Sequence, residues 1–352
     1  MALSKLTNNE MALLLAHCGP VLEDNLDLIV IILSHLPVKT LGRFRTVSKS
    51  WNMVIQKRFF IELQLNRSKE NPHRIVFHSS ILRPTLDRPL SIHTLIASWN
   101  GLIFQTSTVP SLQSLSIYNP VNEQRFVLPE DKERPFGRDH CFGLAHGPRC
   151  CDYKVYKFVR VSLFIDTLEC RMYSSITGSW ISLGVPPSYP LYSSHVFLNG
   201  TVYWQISKRR EDFPGAILAI DELDNFHTFD PPELESGWPY LVTLGDSLSI
   251  VVIYKEVVGV SRMSIWVLES LQPTWTKKLD TGIPLLSLEM TVSAAAWGNR
   301  VVITTPRRYL TYHMDRKIWN IDMSADVLDN KRCTFSGFFT ESLLPSNGVM
   351  EP

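Results

Sequence analysis

Tyr173-Ser174-Ser175-Ile176-Thr177-Gly178-Ser179-Trp180-Ile181-Ser182-Leu183 sets the pattern for most of this chain: a strand aromatic, a polar turn, a second aromatic, then an apolar residue. The same order runs through Tyr118-Asn119-Pro120 with Phe126 and Leu128, and through Ile220-Asp221-Glu222 with Phe226 and Phe229. It returns in Trp266-Val267-Leu268 with Trp275 and Leu279, and in Tyr312-His313-Met314 with Trp319 and Ile321. The leading residues of the five units lie 55, 47, 46 and 46 positions apart. Before each unit comes a glycine-led apolar run: Gly101 to Phe104, Gly143-Leu144, Gly200 to Tyr203, Gly245 with Leu248 to Ile253, and Gly298 with Val301 to Thr304.

Repeats of roughly 40–50 residues with several short strands each are the pattern of propeller blades. A four-stranded blade has two apolar faces, and radial stacking buries both while protecting the strand edges. Trp180, Trp275 and Trp319 then read as packing between blades in preference to ligand contacts. A further blade closes if the run Arg74 to His78 pairs with Thr334 to Phe339, so the expectation is about six blades.

Outward from the repeat, the first sixty-five residues change period. Leu26, Ile29, Val30 and Leu33 fall on one helical face. Pro37 ends that helix, since proline lacks an N–H and clashes with the preceding turn. A second short helix is expected from Val38 to Arg45, and a third after Ser48, a good N-cap, with Val47, Trp51, Val54 and Ile55 on one side. Phe59 to Leu65 reads as a further helix leading into the next domain. The fold class is therefore α+β and multidomain: a small three-helix unit, then an all-β propeller-like domain. The boundaries are an extension over 1–20, the helical unit over 21–66, the β domain over 67–342 and a tail over 343–352. A helical unit of about 40 residues sits near the lower limit for folding alone. Leu36, Pro37, Val38 and Val47 then form a partner surface, or the bundle simply packs on the larger domain.

Thirty-five basic and 34 acidic residues leave a formal net charge of +1. That balance gives no electrostatic footprint for nucleic acid and no polybasic patch for a membrane. Six cysteines (Cys18, Cys141, Cys150, Cys151, Cys170 and Cys333) are too irregular for a disulfide framework and read as reduced intracellular thiols. The apolar run from Met11 to Ala16 lacks the basic flank and length of a secretory signal. The expected compartment is the nucleus, the cytoplasm or both, with the sequons at Asn66 and Asn199 unglycosylated.

The stretch Leu33-Ser34-His35-Leu36-Pro37-Val38-Lys39-Thr40-Leu41-Gly42-Arg43-Phe44-Arg45-Thr46-Val47-Ser48-Lys49-Ser50-Trp51 closely resembles the plant-type F-box. The resemblance covers roughly residues 22 to 60. It implies docking on the Skp-type adaptor of a cullin ligase. Leu26, Ile29, Leu33, Leu36, Pro37, Val38, Leu41, Phe44, Val47 and Trp51 would form the docking face and its supporting core, with Leu36, Pro37 and Val38 as central anchors. One departure is the opening Leu22-Glu23-Asp24-Asn25-Leu26, where the family has Leu-Pro. It removes a rigid helix starter and leaves room for weaker adaptor binding.

Asn100-Gly101-Leu102, Asp152-Tyr153-Lys154-Val155, Val196 to Gly200 with Tyr203-Trp204, and Ile265 to Leu268 with Trp275-Thr276 are similar to the F-box-associated, kelch-like domain. That resemblance spans about residues 92 to 340. It implies the substrate-recognition subunit of an SCF-type ubiquitin ligase, holding an unknown protein target. The alternatives are a ligase-independent F-box scaffold and a propeller enzyme.

No phosphate loop, dinucleotide turn, nucleophile elbow or H-E-x-x-H pair occurs. The expectation is no catalysis, no cofactor and no metal. His140-Cys141, His146 and Cys150-Cys151 carry zinc-binding atoms without zinc spacing, and Cys141 and Cys151 read equally as small buried hydrophobes. Asp221-Glu222-Leu223-Asp224 reads as a solvated hairpin turn in place of a calcium loop. Lys208 to Asp212 is a charged loop, either a plain connection or a target-contacting tip. Target specificity is expected in Arg83 to Leu90, Glu130 to Asp139, Gly184 to Ser193 and Lys208 to Pro214.

Overall fold

The computed structural model describes residues 26–70, 73–78, 93–107, 114–132, 139–147, 149–160, 168–187, 190–207, 214–234, 237–254, 261–269, 274–284, 293–305, 308–323 and 333–348. The extension 1–20, the opening 22–25, and the loops 83–90 and 208–213 lie outside them, as do Cys18 and the side chains of Leu26 and His140.

Among the described residues four helices come first: α1 (Leu26–Ser34), α2 (Val38–Phe44), α3 (Lys49–Gln56) and α4 (Arg58–Ser68). Pro37 is the N-cap of α2, with φ −57° and ψ 144°, so its missing N–H costs nothing there. Ser48 caps α3 as its residue type predicts, its hydroxyl accepting from the Trp51 N–H at 3.2 Å. The expected fourth helix is present and extends to Ser68.

Five four-stranded antiparallel sheets follow, each in chain order. They are β2 (His93–Trp99) to β5 (Gln124–Val127), β6 (Asp139–His146) to β9 (Ser179–Gly184), β10 (Pro190–Leu198) to β13 (Phe226–Phe229), β14 (Trp238–Leu244) to β17 (Trp275–Gly282), and β18 (Ser293–Trp297) to β21 (Ile318–Met323). First strands of successive sheets touch one another, so they form the inner ring of a propeller.

The expected pairing of the chain ends is present. Strand β1 (His73–His78) runs antiparallel to β22 (Cys333–Phe339), with Ile75 opposite Gly337. Strand β22 sits between β18 and β2. The expected count of about six blades is corrected to five. The aromatic-turn-aromatic unit occurs five times, and among the described residues the closing sheet has only two strands, one from each end of the β region.

The core lies between blades, as radial stacking requires. One apolar cluster joins Phe104 and Ile117 of the first blade to Val155 and Tyr173 of the second. Others join Phe158 to Trp204, Ile217 to Ile250, and Val251 to Val301 across the next three seams. The fourth-strand tryptophans also bond across seams. Trp180 Nε1 donates to Pro129 O at 2.8 Å, Trp275 Nε1 to Asp230 O at 2.9 Å, and Trp319 Nε1 to Gly282 O at 2.9 Å. Each acceptor lies at the end of the preceding blade, so an aromatic body packs while its polar edge locks the neighbour.

Two glycine roles differ from each other. Asn100-Gly101 and Asn199-Gly200 both have two residues at positive φ, the two-residue hairpin geometry that this dipeptide favours. Gly143, expected to start a strand, instead lies inside β6. A Cβ there would fall 2.1 Å from Trp204 Cζ2, so the glycine admits the buried indole of the next blade.

Candidate functional site

Helix α1 is apolar around most of its circumference, so it can bury one face and still present another. Ile29 and Leu33 point inward at 1% and 0% exposure, while Leu28 and Ile31 stand outward at 46% and 48%. The inward residues meet Leu36, Leu41, Phe44, Trp51, Val54, Ile55 and Phe60 in a single core. Phe44 and Trp51 touch edge to face, with ring centroids 5.5 Å apart.

The expected docking residues divide accordingly. Ile29, Leu33, Leu36, Val38, Leu41, Phe44 and Trp51 are buried, and Pro37 and Val47 are exposed. Leu36 and Val38, expected as exposed anchors, are sealed at 6% and 1%. Leu36 belongs to the helical core and is not covered by the strands. The outward apolar set is Leu28, Ile31, Val47, Met53 and Phe59, of which sequence reasoning named only Val47. The signal for Leu28 and Ile31 was available: their spacing of three places them together on the face opposite Ile29 and Leu33.

The bundle is fastened to the propeller through α4 and the C-terminal tail. Ile61 and Leu65 enter the cluster shared by the first two blades, and Leu343 touches both that cluster and the helical core. Asn119, fully buried, donates to Ser342 O at 3.0 Å and Leu344 O at 2.8 Å. Tyr153 OH donates to Ser346 O at 3.2 Å. On the bundle side, Arg67 of α4 donates to Ile31 O at 3.3 Å and to Ser34 Oγ. A cleft of about 680 Å³ remains between bundle, first blade and tail, lined by Arg45, Gln56, Gln124, Phe126 and Asn347 among others.

On the propeller, Asp131 follows the first blade and is 6% exposed. Arg171 donates to it twice, Nε to Oδ2 at 2.5 Å and Nη2 to Oδ1 at 2.8 Å, and Lys157 Nζ lies 2.9 Å from Oδ2. Burial opposes the charge of Asp131, but hydrogen bonds from Arg171 and Lys157 prevail and hold its carboxyl below the ordinary value. The network ties blades one and two.

Of the residues weighed for zinc, the His140 side chain lies outside the described residues, and among the described residues no group of three metal-ligating side chains exists. Cys141 is buried at 1%, and His146 stacks on Trp99 with ring centroids 5.3 Å apart. Cys150 contacts Glu62 of α4. The Asp221 carboxylate closes its own hairpin, accepting from the N–H groups of Leu223 and Asn225 at 2.9 Å each.

Comparison with known proteins agrees with this architecture. Residues 25–62 match the F-box domain, and residues 45–315 match the F-box associated beta propeller domain. An F-box protein of Arabidopsis thaliana is 26% identical, with 91% of this chain and 97% of the relative covered. A second Arabidopsis thaliana F-box protein is 25% identical over 76% of this chain and 74% of its own length. Among solved structures, a chain of a nidogen/laminin complex superposes with a TM-score of 0.49 at 11% identity, covering 77% of this chain and all of that one. Neither matching family is an enzyme family, and an F-box domain indicates an Skp-type adaptor as partner. A helical bundle of F-box sequence seated on a five-bladed propeller, matched over most of its length, makes this chain a member of the plant-type F-box proteins that carry an F-box associated beta propeller domain.

Proposed function

We propose that this chain is the substrate-recognition subunit of an SCF-type ubiquitin ligase, acting in the nucleus, the cytoplasm or both. The F-box binds the Skp-type adaptor and through it a cullin, while the propeller holds a target protein for ubiquitin transfer. The observation that supports this reading is the outward apolar set Leu28, Ile31, Val47, Met53 and Phe59 on a bundle whose own core is already filled. Five exposed apolar side chains on so small a unit are what a partner surface would use.

The chain's contribution is geometric. The shared core of α4, Leu343 and the first two blades makes the bundle and propeller one body, so a bound target sits at a fixed place relative to the adaptor. That converts an encounter in solution into an effectively intramolecular one. This role needs no side chain to do acid–base work.

The test is adaptor affinity of the full chain with Ile31→Glu and Phe59→Glu, both on exposed side chains whose change leaves the core intact. Each loses at least about tenfold in affinity, as hot-spot residues do. Unaltered affinity in both overturns the docking surface. A wild-type chain that does not bind the adaptor supports the ligase-independent scaffold that the Leu22-Glu23-Asp24-Asn25 opening keeps in view.

A further inference from the structure

The cleft of about 680 Å³ has walls drawn from three parts of the molecule. Ile55 of α3, Ile61 of α4, Phe126 of β5, and Leu343 and Pro345 of the tail supply its apolar side. Its polar side has the same three sources: Arg45 follows α2, Gln56 ends α3, Gln124 begins β5, and Ser346 belongs to the tail. The described residues lining it include two arginines, Arg45 and Arg125, and no carboxylate.

Several of its donors are unspent. Arg45 is anchored along one edge, its Nε donating to Asn52 Oδ1 at 3.0 Å, an oxygen that also accepts from Gln56 Nε2 at 3.0 Å. Neither Nη of Arg45 has a partner among the described residues. Gln124 Oε1 accepts from Asn122 Nδ2 at 3.2 Å, while Gln124 Nε2 bonds to no described residue. Ser346 is only 4% exposed, and its carbonyl holds the Tyr153 hydroxyl at 3.2 Å. The Ser346 hydroxyl itself has no hydrogen-bond partner among the described residues. A side chain buried to that degree ordinarily finds one, so an open hydroxyl in a cavity wall leaves a place for a bound group. Arg125 stacks over Tyr118, 5.3 Å from the ring centroid, and adds a second cation to the wall.

We infer that this cleft binds a small organic carboxylate with a flat apolar body. Its volume falls within the roughly 300–1,000 Å³ of small-molecule pockets, which combine apolar walls with a few polar groups. Cations and open donors without a facing carboxylate select an anion. The two Nη groups of Arg45 form a fork that matches the two oxygens of a carboxylate. Ser346 and Gln124 offer further donors. The apolar side favours a ligand that carries hydrocarbon over a small hydrated ion such as phosphate. Since bundle, first blade and tail all contribute, an occupant fastens the bundle to the propeller. The site stands whether or not the chain serves a ligase.

The test titrates the full chain with naphthalene-2-carboxylate and with its neutral isostere naphthalene-2-carboxamide, followed by ligand-observed NMR. The carboxylate binds at least about tenfold tighter than the amide, the difference a charge-assisted pair supplies. Arg45→Gln, at an exposed side chain, removes most of that difference and leaves amide binding unchanged. Ser346→Ala weakens the carboxylate about two- to tenfold, as loss of one hydrogen bond does. Ile31→Glu, on the outward face of the bundle, changes neither affinity. Saturating carboxylate slows amide exchange over residues 342–347, and inorganic phosphate at equal concentration does not displace it. Absence of binding, equal affinity for acid and amide, undiminished carboxylate affinity in Arg45→Gln or Ser346→Ala, loss of binding in Ile31→Glu, or displacement by phosphate each overturns the inference.

Discussion

Replacing Asp131 with asparagine keeps the size of the side chain and removes its charge, leaving Lys157 and Arg171 buried at 4% and 3% exposure. In the native network Asp131 receives two bonds from Arg171, at 2.5 and 2.8 Å, and one contact from Lys157 at 2.9 Å. After the change Arg171 keeps Glu169, 3.1 Å from its Nη1, and Lys157 keeps the face of Trp180, 4.4 Å from its Nζ. Breaking a buried pair by removing one partner costs about 3–5 kcal/mol. A domain holds roughly 5–15 kcal/mol in total. With about 2–4 °C per kcal/mol for a domain of this size, the melting temperature falls by roughly 10 °C.

The pH dependence has a definite sign. The folded pKa of Asp131 lies below its ordinary value of 3.8, so its contribution is fully present above that value and fades as the pH falls through the lower folded one. Scanning calorimetry between neutral pH and pH 3 therefore shows Asp131→Asn destabilised at neutral pH and closing on the wild type in acid. The quadruple variant Asp131→Leu, Lys157→Met, Arg171→Met, Glu169→Gln, which also removes the carboxylate that Arg171 pairs, returns close to wild-type stability. A loss under about 1 kcal/mol for Asp131→Asn, or a gap that widens in acid, refutes the reasoning.

Trp275→Phe and Trp319→Phe each lose one hydrogen bond to the preceding blade and cost about 0.5–1.5 kcal/mol in urea titration. Their effects add, because the two seams share no partner. Asn119→Ala removes a donor from two tail carbonyls, of which Leu344 O keeps the bond from Asn122 Nδ2 at 3.4 Å, and costs roughly 1–3 kcal/mol, with amide exchange rising over residues 342–346. Gly143→Ala forces Trp204 out of its slot and costs about 1–3 kcal/mol, seen as a shift in tryptophan fluorescence as well as stability.

The outcomes of these variants depend on features legible to different degrees in the chain itself. The helix break at Pro37, the Ser48 cap and the inter-blade tryptophans follow from local chemistry, since proline's missing donor, a hydroxyl acceptor and an indole's polar edge have the same needs in any context. The repeat spacing determined that blades exist, because strand and turn residues recur at fixed offsets. It did not determine how many. The pairing of the two chain ends, β1 with β22, was legible, but whether it builds a blade or only a two-stranded clasp depends on how many strands join it across the ring. The F-box shows the same division. Its sequence specified an apolar bundle, yet Leu36 and Val38 went inside while Ile31 and Phe59 stayed out. A short helix that is apolar on both faces leaves that choice to whichever neighbour packs against it, and only the tertiary arrangement of α1 to α4, the tail and the first two blades makes it.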